Sequence, residues 1–548
     1  MWSRTECVAT ILRRTLLKAR RLSLLVGSFL VFLGPVYGSE TPAGWYQAGQ
    51  DWVQQRQEAL GDESAPKARN VILFVGDGMS LTTVAAARIL QGQQRGQTGE
   101  ENYLFFEQLD NLGLAKTYNT NQQTPDSAGT MTAMVTGVKS FAGAISVDQT
   151  AIRGDCDSII GTQRVSLLDL AAKAGLATGV VTTTRITHAT PASLYAKSPD
   201  RRWESDRGLP PAALEAGCRD IAQQLVEYDI GRGIDVVLGG GRRAFYPSDW
   251  TDPEYPEVTG HRTDERHLID EWQARHPTGT YVWNLEGFQA AMKADSDGPI
   301  LGLFQPGHMQ YEFDRPEDPA GEPSLTDMVA ETIKRLQNQS DQGFVLVVES
   351  GRIDHAHHAN NAWRALTDTI EFDRAIQTAV DLVDLDETLI IVTADHAHAL
   401  TFDGYGARGN PIMGYAVRPG DGPESERTMR DHQDQPMTVL NYANGPGYRR
   451  DDATVDFRTM DPLEPDFKQK AGTWQYSATH AGEDVPVYSA GPGSNVLQGT
   501  MEQNVIYHSI IGALPLLQQT AASLVDDSGL PQWDSVRDSM REPKIKSD

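Results

Sequence analysis

Cysteine is scarce in this chain, with three in 548 residues. A core of this size can be buried without covalent staples, so the fold does not rest on a disulfide framework. Basic residues are also in short supply. Lys and Arg number 48 against 74 Asp and Glu, a net charge of −26. That balance speaks against a nucleic-acid-binding face, which needs a basic surface to meet phosphates. No apolar run is long enough for a comfortable membrane span. "LSLLVGSFLVFL", Leu22 to Leu33, is about a dozen residues, short of the ~20 that a bilayer requires. From the polar ending "SMREPKIKSD" no lipid-anchor tail is expected. Internal repeats and long low-complexity tracts are likewise missing.

What is present at the start reads as a targeting segment. Arg13, Arg14, Lys18, Arg20 and Arg21 precede the apolar run, and "PVYGSE" with small Gly38 follows it. Residues 1–38 are expected to be a signal peptide, with an uncleaved anchor as the other reading. The Arg20-Arg21 pair hints at a twin-arginine route. Export places the chain in a periplasmic or extracellular compartment. Cys7 would leave with the signal peptide. Cys156 and Cys218 would remain, as one disulfide or as two free thiols. The acidic surplus reads as a soluble surface for most of its members, while some carboxylates can hold cations.

Apolar runs typical of buried strands recur, and polar residues follow them. "NVILFV" leads into Gly76-Asp77-Gly78, "GVVTTT" into Arg185 and His188, "GFVLVV" into Glu349, and "LIIVTA" into Asp395-His396. "IDVVLGGG" is a further run. Helical stretches such as 167–174, 325–337 and 362–383 lie between them. Continuous apolar strands alternating with helices predict an α/β fold, a large mainly parallel sheet with helices on both faces. Ligands in such sheets sit beyond the carboxyl ends of the strands. From about Gly404 to Thr479 the texture turns rich in Gly, Pro and charge, as in "GNPIMGYAVRPGDGPESE". Residues 404–479 are expected to be an inserted subdomain or a long surface excursion within a domain spanning 39–548.

Of the 13 histidines, seven fall in four short segments beside carboxylates: His188; His355, His357 and His358; His396 and His398; His480. Asp354 and His358, four apart, share one face of a helical turn. A carboxylate and an imidazole so placed make two legs of a zinc site. Asp395-His396 can supply two legs of another, and His480 can complete the first. Asp77 and Glu349, at strand ends, suit a harder cation such as magnesium. "QTPDSAGTMTAMVTG" places Ser127 at a helix start, where free N–H groups favour a phosphate. Ser127 is then either an N-cap or a nucleophile whose hydroxyl a bound zinc would activate.

These residues resemble the alkaline phosphatases, in the motifs "VGDGMS", "TPDSAGTMTA", "TRITHATPASLYA", "ESGRIDHAHH", "VTADHAHAL" and "THAGEDVPVYSAGP" and in their order. The resemblance runs from about Asn70 to Gly512. It implies a metal-dependent phosphate monoester hydrolase, active at alkaline pH, in which Ser127 forms a phosphoserine. Asp354, His358 and His480 would hold one zinc. Asp77, Asp395 and His396 would hold the other. Asp77, Thr190 and Glu349 would hold magnesium. Arg201, 13 residues after His188, falls where the family places a phosphate-clamping arginine, and a guanidinium fork suits two phosphate oxygens. His at both 188 and 355 is similar to the animal-type branch, and the protein would be an exported bacterial member of it. There His188 lies beside the magnesium ligands and His355 near phosphate. Cys156 and Cys218 align with a disulfide of that branch. Its calcium site is matched in part by Glu254 and Phe304, with Gln305 in place of a carboxylate and Asp318 loosely aligned. The family further implies broad-range small phosphate monoesters as substrates, no lasting membrane anchor, and a homodimer to which the 404–479 insertion contributes.

Two rival readings stay open on the residues alone. A sulfatase or phosphodiesterase shares the metal arrangement, but the modified-residue motif of sulfatases is missing, and Thr190 with Glu349 favours a monoesterase. A phosphate- or metal-binding protein without turnover explains the clustered ligands but not Ser127 among them.

Overall fold

Asn70–Gly76, the first strand (β1), is apolar almost throughout, and every residue after Asn70 is buried. A strand buried on both faces has to be covered on both. The computed structural model describes residues 40–61, 67–420, 427–448 and 457–537. In it β1 lies near the middle of a ten-stranded sheet. The other strands are β2 (Asn111–Lys116), β3 (Ala177–Arg185), β4 (Val236–Gly240), β5 (Thr280–Val282), β6 (Ile300–Leu303), β7 (Phe344–Ser350), β8 (Thr388–Thr393), β9 (Val485–Ala490) and β10 (Gly499–Glu502). Their order across the sheet is β10-β2-β9-β8-β1-β7-β3-β4-β6-β5. Only β9 runs against its neighbours; the remaining pairs are parallel. The mainly parallel sheet anticipated from the apolar runs is therefore present.

Two helical groups cover it. Leu325–Gln339, Ala362–Leu382 and Leu81–Gln94 pack together, the first against β3 and β7. Ser127–Thr136, Ala189–Tyr195 and Leu167–Lys173 form the second, the last of them also reaching β3 and β7. Full burial of β7 and β8 puts one group on each face. Val71 to Val75 are 0% exposed. At about 1.5–3 kcal/mol for each large apolar side chain, that burial fixes the place of β1. Slipping its register by one residue would turn every side chain to the other face.

The register brings acids together. β1 pairs Val75 with Glu349 on one side and with Thr393 on the other. Asp77 thus emerges between the end of β7 and the loop carrying Asp395. β9 runs the opposite way, so its start at Val485 lies on this same edge, bringing His480 with it. Gly78 adopts φ +70°, and a Cβ there would stand 3.2 Å from Asp354. Glycine is the residue suited to both demands.

Within 404–479 the described residues form small sheets. Leu440–Gly445 pairs antiparallel with Leu400–Phe402 and parallel with Ala471–Trp474. Val417–Arg418 pairs with Arg427–Thr428. The signal-peptide expectation, residues 1–38, lies outside the described residues. Among those residues no helix is long and apolar enough to cross a membrane.

Cys156 and Cys218 are joined as a disulfide across 62 residues of chain. The free-thiol alternative falls. The bridge packs beside buried Trp203, Leu209 and Ala213 and closes the loop that carries His188 and Arg201. A closed loop of that length lowers unfolded-state entropy by about 4 kcal/mol in the chain-entropy account. Replacing both cysteines by serine is therefore expected to cost up to ~4 kcal/mol, read as a lower midpoint of urea unfolding. An unchanged midpoint would show that the loop is held by packing alone.

Candidate active site

Ser127 is the first residue of the helix Ser127–Thr136, and its N-cap is Asp126. Asp126 accepts from Gly129 N at 3.1 Å and from Gly143 N at 3.0 Å. The capping task thus belongs to Asp126, and Ser127 is left for other work. Its hydroxyl is buried and lies 3.1 Å from His396 Nε2. The first-turn N–H groups of Ser127 and Ala128 have no acceptor within the helix.

Three groups of side chains converge beside it. Asp354, His358, His398 and His480 form one, Asp77, Asp395 and His396 the second, and Asp77, His188 and Glu349 the third, with ligand atoms inside each group within 4.8 Å of one another. The two acids and one imidazole of the middle group are fully buried. Both Asp77 oxygens, Asp395 Oδ2, Glu349 Oε1 and the Thr190 hydroxyl are buried without hydrogen-bond partners. Unpaired buried carboxylate oxygens are costly, and several facing one another point to cations. Glu349 Oε2, in contrast, accepts from the hydroxyls of Thr182 and of Thr184, which aims the free oxygen.

The charges agree. Burial, reinforced by Asp395, Asp354 and Glu349, pushes the Asp77 carboxyl well above its usual range. Burial pushes Glu349 up to about 7 and Asp395 up to about 6. Burial opposes ionisation of Asp354 too, but His358, His398 and His480 hold it well below the usual value. Against burial, Asp354 lifts His358 to about 9.

Backbone contacts set the imidazole tautomers. His358 Nδ1 donates to the Ala478 carbonyl at 2.5 Å, His480 Nδ1 to that of Pro125 at 2.8 Å, and His396 Nδ1 to that of Ala397 at 3.2 Å. With Nδ1 so engaged, Nε2 of each ring is the nitrogen that faces the site, as in metal-ligating histidines. Nε2 of His358 and Nε2 of His480 are 3.3 Å apart. His358 Nε2 also lies 3.2 Å from Asp354 Oδ2, which favours a proton on it in the ion-free protein, and a cation would take that proton's place. His398 is different. Its Nδ1 accepts from Ala399 N at 2.9 Å, so the proton is on Nε2, 3.4 Å from Asp354 Oδ1. His398 thus stands beside Asp354, whose Oδ1 is buried without a hydrogen-bond partner. The sequence counted it among the clustered histidines without a role, because the tautomer is set by the fold. His357 is a core residue, held by the hydroxyls of Thr83 and Tyr442.

Arg201 donates to Asp126 Oδ2 at 3.1 Å and to His188 Nε2 at 3.0 Å. His355 takes Arg352 at 3.1 Å, and its ring lies 5.5 Å from that of His188. Asp126 and His308 escaped sequence reasoning. Asp126 was visible as the acid before a serine at a helix start. His308, 4.1 Å ring to ring from His355, carried no local signal. The looser set is arranged otherwise. Glu254 Oε2 takes Arg242 at 2.6 Å, Gln305 donates to Asp318 Oδ1 at 2.5 Å, and Phe304 is fully buried.

Comparison with known proteins agrees with this geometry. The sequence profile described as alkaline phosphatase matches residues 68–516. The tissue-nonspecific alkaline phosphatase isozyme of Gallus gallus is 43% identical over 477 residues, covering 84% of this chain and 88% of its own. Alkaline phosphatase of Gadus morhua is 42% identical over 469 residues, covering 84% and 95%. The crystal structure of Thermus thermophilus alkaline phosphatase superposes with a TM-score of 0.58 at 26% identity, over 84% and 95% of the two chains. Fold and site thus define a metal-dependent hydrolase built on a doubly covered parallel sheet. The chain belongs to the alkaline phosphatase family, and phosphate monoester hydrolysis is its activity.

The raised carboxyls have a consequence for stability. The unfolded chain releases the Glu349 and Asp395 protons near the ordinary 4.5 and 3.8, the folded chain near about 7 and 6. Between those values the folded state binds more protons, so their contribution is full at low pH and is lost as pH rises. Buried His396 and His480, lowered to about 4, act the other way below their ordinary 6.5, so cation-stripped protein is expected to melt at progressively lower temperature from about pH 7 to pH 8. Divalent cations should flatten the trend by holding the carboxylates ionised. A pH-independent melting temperature in EDTA would contradict the arrangement.

Proposed function

We propose that the protein hydrolyses a broad range of small phosphate monoesters at alkaline pH through a covalent phosphoserine on Ser127. The observation that carries this reading is the Ser127 hydroxyl 3.1 Å from His396 Nε2, at the meeting point of three groups of converging ligand atoms. Asp354, His358 and His480 would hold one zinc and Asp77, Asp395 and His396 the other. Asp77, Thr190 and Glu349 would hold magnesium, with His188 beside them. The donor sets fit, imidazole together with carboxylate for each zinc and oxygen-only for magnesium. When bound, the cations supply Lewis-acid charge that lowers the hydroxyl pKa and offsets charge on the attacking and departing oxygens.

The rest falls to the protein's own groups. Ser127 Oγ attacks phosphorus in line with the departing alcohol, which leaves with a proton. The N–H groups of Ser127 and Ala128 and the guanidinium of Arg201 hold the equatorial oxygens, where charge must be stabilised. Asp126 holds Arg201 and caps the serine's helix, so one carboxylate sets the spacing of clamp and nucleophile. His355 stands near the bound phosphate. Water then cleaves the Ser127–phosphoryl bond from the leaving-group side, releasing inorganic phosphate and restoring the hydroxyl. Only the phosphoryl end is gripped by these residues, which supports broad tolerance of the alcohol.

The reading extends to export into the periplasm or extracellular space, a signal peptide over 1–38, a crown-type subdomain over 404–479, and a homodimer. The Cys156–Cys218 bridge supports an oxidising compartment. A calcium ion on Glu254, Phe304, Gln305 and Asp318 has in its favour the buried, unpartnered Asp318 Oδ2. Against it stands Arg242, which already meets the Glu254 charge.

Release of p-nitrophenol from its phosphate ester at alkaline pH, stopped by EDTA and restored by zinc with magnesium, is the expected behaviour. Ser127→Ala should lose at least 10³-fold in kcat, as removal of a nucleophile does, while retaining about two zinc and one magnesium per chain by elemental analysis. Full activity in that variant would refute the nucleophile, and a metal-free active protein would refute the site.

A further inference from the structure

The carboxyl edge of the sheet carries a second feature beyond the site just described. Moving outward along the strand order from β7, the loops after β3, β4 and β6 present Arg185, Arg243 and His308. Arg185 lies at the end of β3 and donates to Glu204 through Nε at 2.7 Å and Nη2 at 2.6 Å. Its backbone N–H donates to His308 Nδ1 at 3.2 Å, and its guanidinium meets the other ring nitrogen of His308. The turn Gly240–Gly241 that ends β4 packs against the Arg185 side chain and the His308 backbone, and Arg243, two residues on, donates its backbone N–H to the Pro306 carbonyl at 3.4 Å, beside the His308 loop. The His308 ring in turn lies 5.3 Å from that of His188, whose Nε2 takes the Arg201 guanidinium. A continuous strip therefore leads from Arg201, through His188 and His308, to Arg185 and Arg243.

The strip is short of acid. Glu204 is saturated, since Arg185 takes both its oxygens and Thr187 donates to one of them at 2.6 Å. Among the described residues no carboxylate pairs with Arg243 or Arg207. Arg243 Nε is buried without a hydrogen-bond partner. Burial and then the positive charges of Arg185 and Arg207 hold the Arg243 guanidinium below its ordinary value, with Glu204 the acid that opposes them. His261 donates its backbone N–H to the Arg243 carbonyl at 2.7 Å, and two residues on Thr263 N donates to Asp206, the neighbour of Arg207, at 2.8 Å, so Arg207 and Arg243 flank one short segment. In a chain of net charge −26, arginines left together without counter-charges mark a place where an anion belongs.

We propose that Arg243, Arg207 and Arg185 form a subsite for a second phosphate group of the substrate, so that esters bearing two phosphates are held at both ends. The inference rests on the phosphatase reading above and names the substrate class that reading leaves open. The reactive phosphate meets Ser127 and Arg201, and the second lies along the carboxyl ends of β3 and β4. Arg185, tied to Glu204, shapes the subsite. Arg243 and Arg207, which lack such ties, supply its free charge.

The test compares fructose 1,6-bisphosphate with fructose 6-phosphate, by initial rates of phosphate release, in the metal-loaded wild type and in Arg243→Gln and Arg207→Gln. Each variant is expected to raise KM for the bisphosphate about three- to tenfold, as loss of a partly exposed charge contact does. Its kcat, and its kinetics on fructose 6-phosphate and p-nitrophenyl phosphate, should stay within about twofold. Arg243→Lys should recover most of the loss. Equal changes for both sugar phosphates, or no change for either, would overturn the subsite. Titration of Ser127→Ala protein with fructose 1,6-bisphosphate, with and without Arg243→Gln, reads the subsite without turnover. Weaker binding in the double variant supports it, and equal binding refutes it. Loss of p-nitrophenyl phosphate hydrolysis in the wild type would instead sink the phosphatase reading.

Discussion

Asp77, Glu349, Asp354 and Asp395 are buried together at the carboxyl ends of β1, β7 and β8, and water cannot solvate their charges there. Each neighbour raises the cost of ionising the next, as the upward displacement of Asp77, Glu349 and Asp395 records. Hydrogen bonds relieve part of the cost. Glu349 takes two threonine hydroxyls, and Asp395 takes Gly78 N at 3.1 Å. The oxygens left over face one another. A fold that spends core positions on such a crowd is stable in its ionised form only with cations among them. Metal affinity and fold stability are thus one quantity at this edge.

The sheet makes the crowd possible because its strands are fixed by apolar burial alone. Val71–Val75 pair with β7 and β8 without a polar side chain among them, so no local hydrogen bond competes with the register. The acids come at the strand ends and just beyond, Glu349 in the last residues of β7, Asp77 and Asp395 on the following loops and Asp354 on the helix Arg352–His358. β9, reversed relative to its neighbours, brings His480 to the same edge from the far end of the sequence. Its Nδ1 is tied to Pro125 O, two residues before Ser127, so the ligand and the nucleophile share a backbone segment. A shift of the Ser127 helix would move the imidazole with it.

Strand identity was legible because parallel strands buried on both faces read as unbroken apolar runs, and the acids and imidazoles that follow them were legible by position. The N-cap was not. A serine after an acid at a helix start leaves two candidate caps, and contacts to Gly129 and Gly143 decide for Asp126. Nor could the sequence separate His358 from His357 and His398. All three sit in acid- and histidine-rich segments, yet one faces the acids through Nε2, one is locked between Thr83 and Tyr442, and one has its proton placed by Ala399 N. Each outcome depends on a partner remote in sequence or on a backbone N–H turned by the fold. The same holds for Glu254, which the resemblance offered as a calcium ligand and against which Arg242 lies at 2.6 Å.

Net charge and local charge part company in this molecule. A surplus of 26 negative charges would repel a phosphate ester if it were spread evenly, since the summed field acts at the distance of a Debye length or more. At the carboxyl edge the acids are instead buried behind ligand groups, where bound cations would reverse their sign, while Arg201, Arg185 and Arg243 line the approach. Within a few ångströms an incoming anion meets donors rather than carboxylates. The acidic surplus then repels only at long range, where salt screens it, and the arginines attract at short range, where salt does not. Added salt should for that reason speed the approach of a phosphate ester more than it weakens its final contacts, a balance that follows from where the charges lie and not from how many there are.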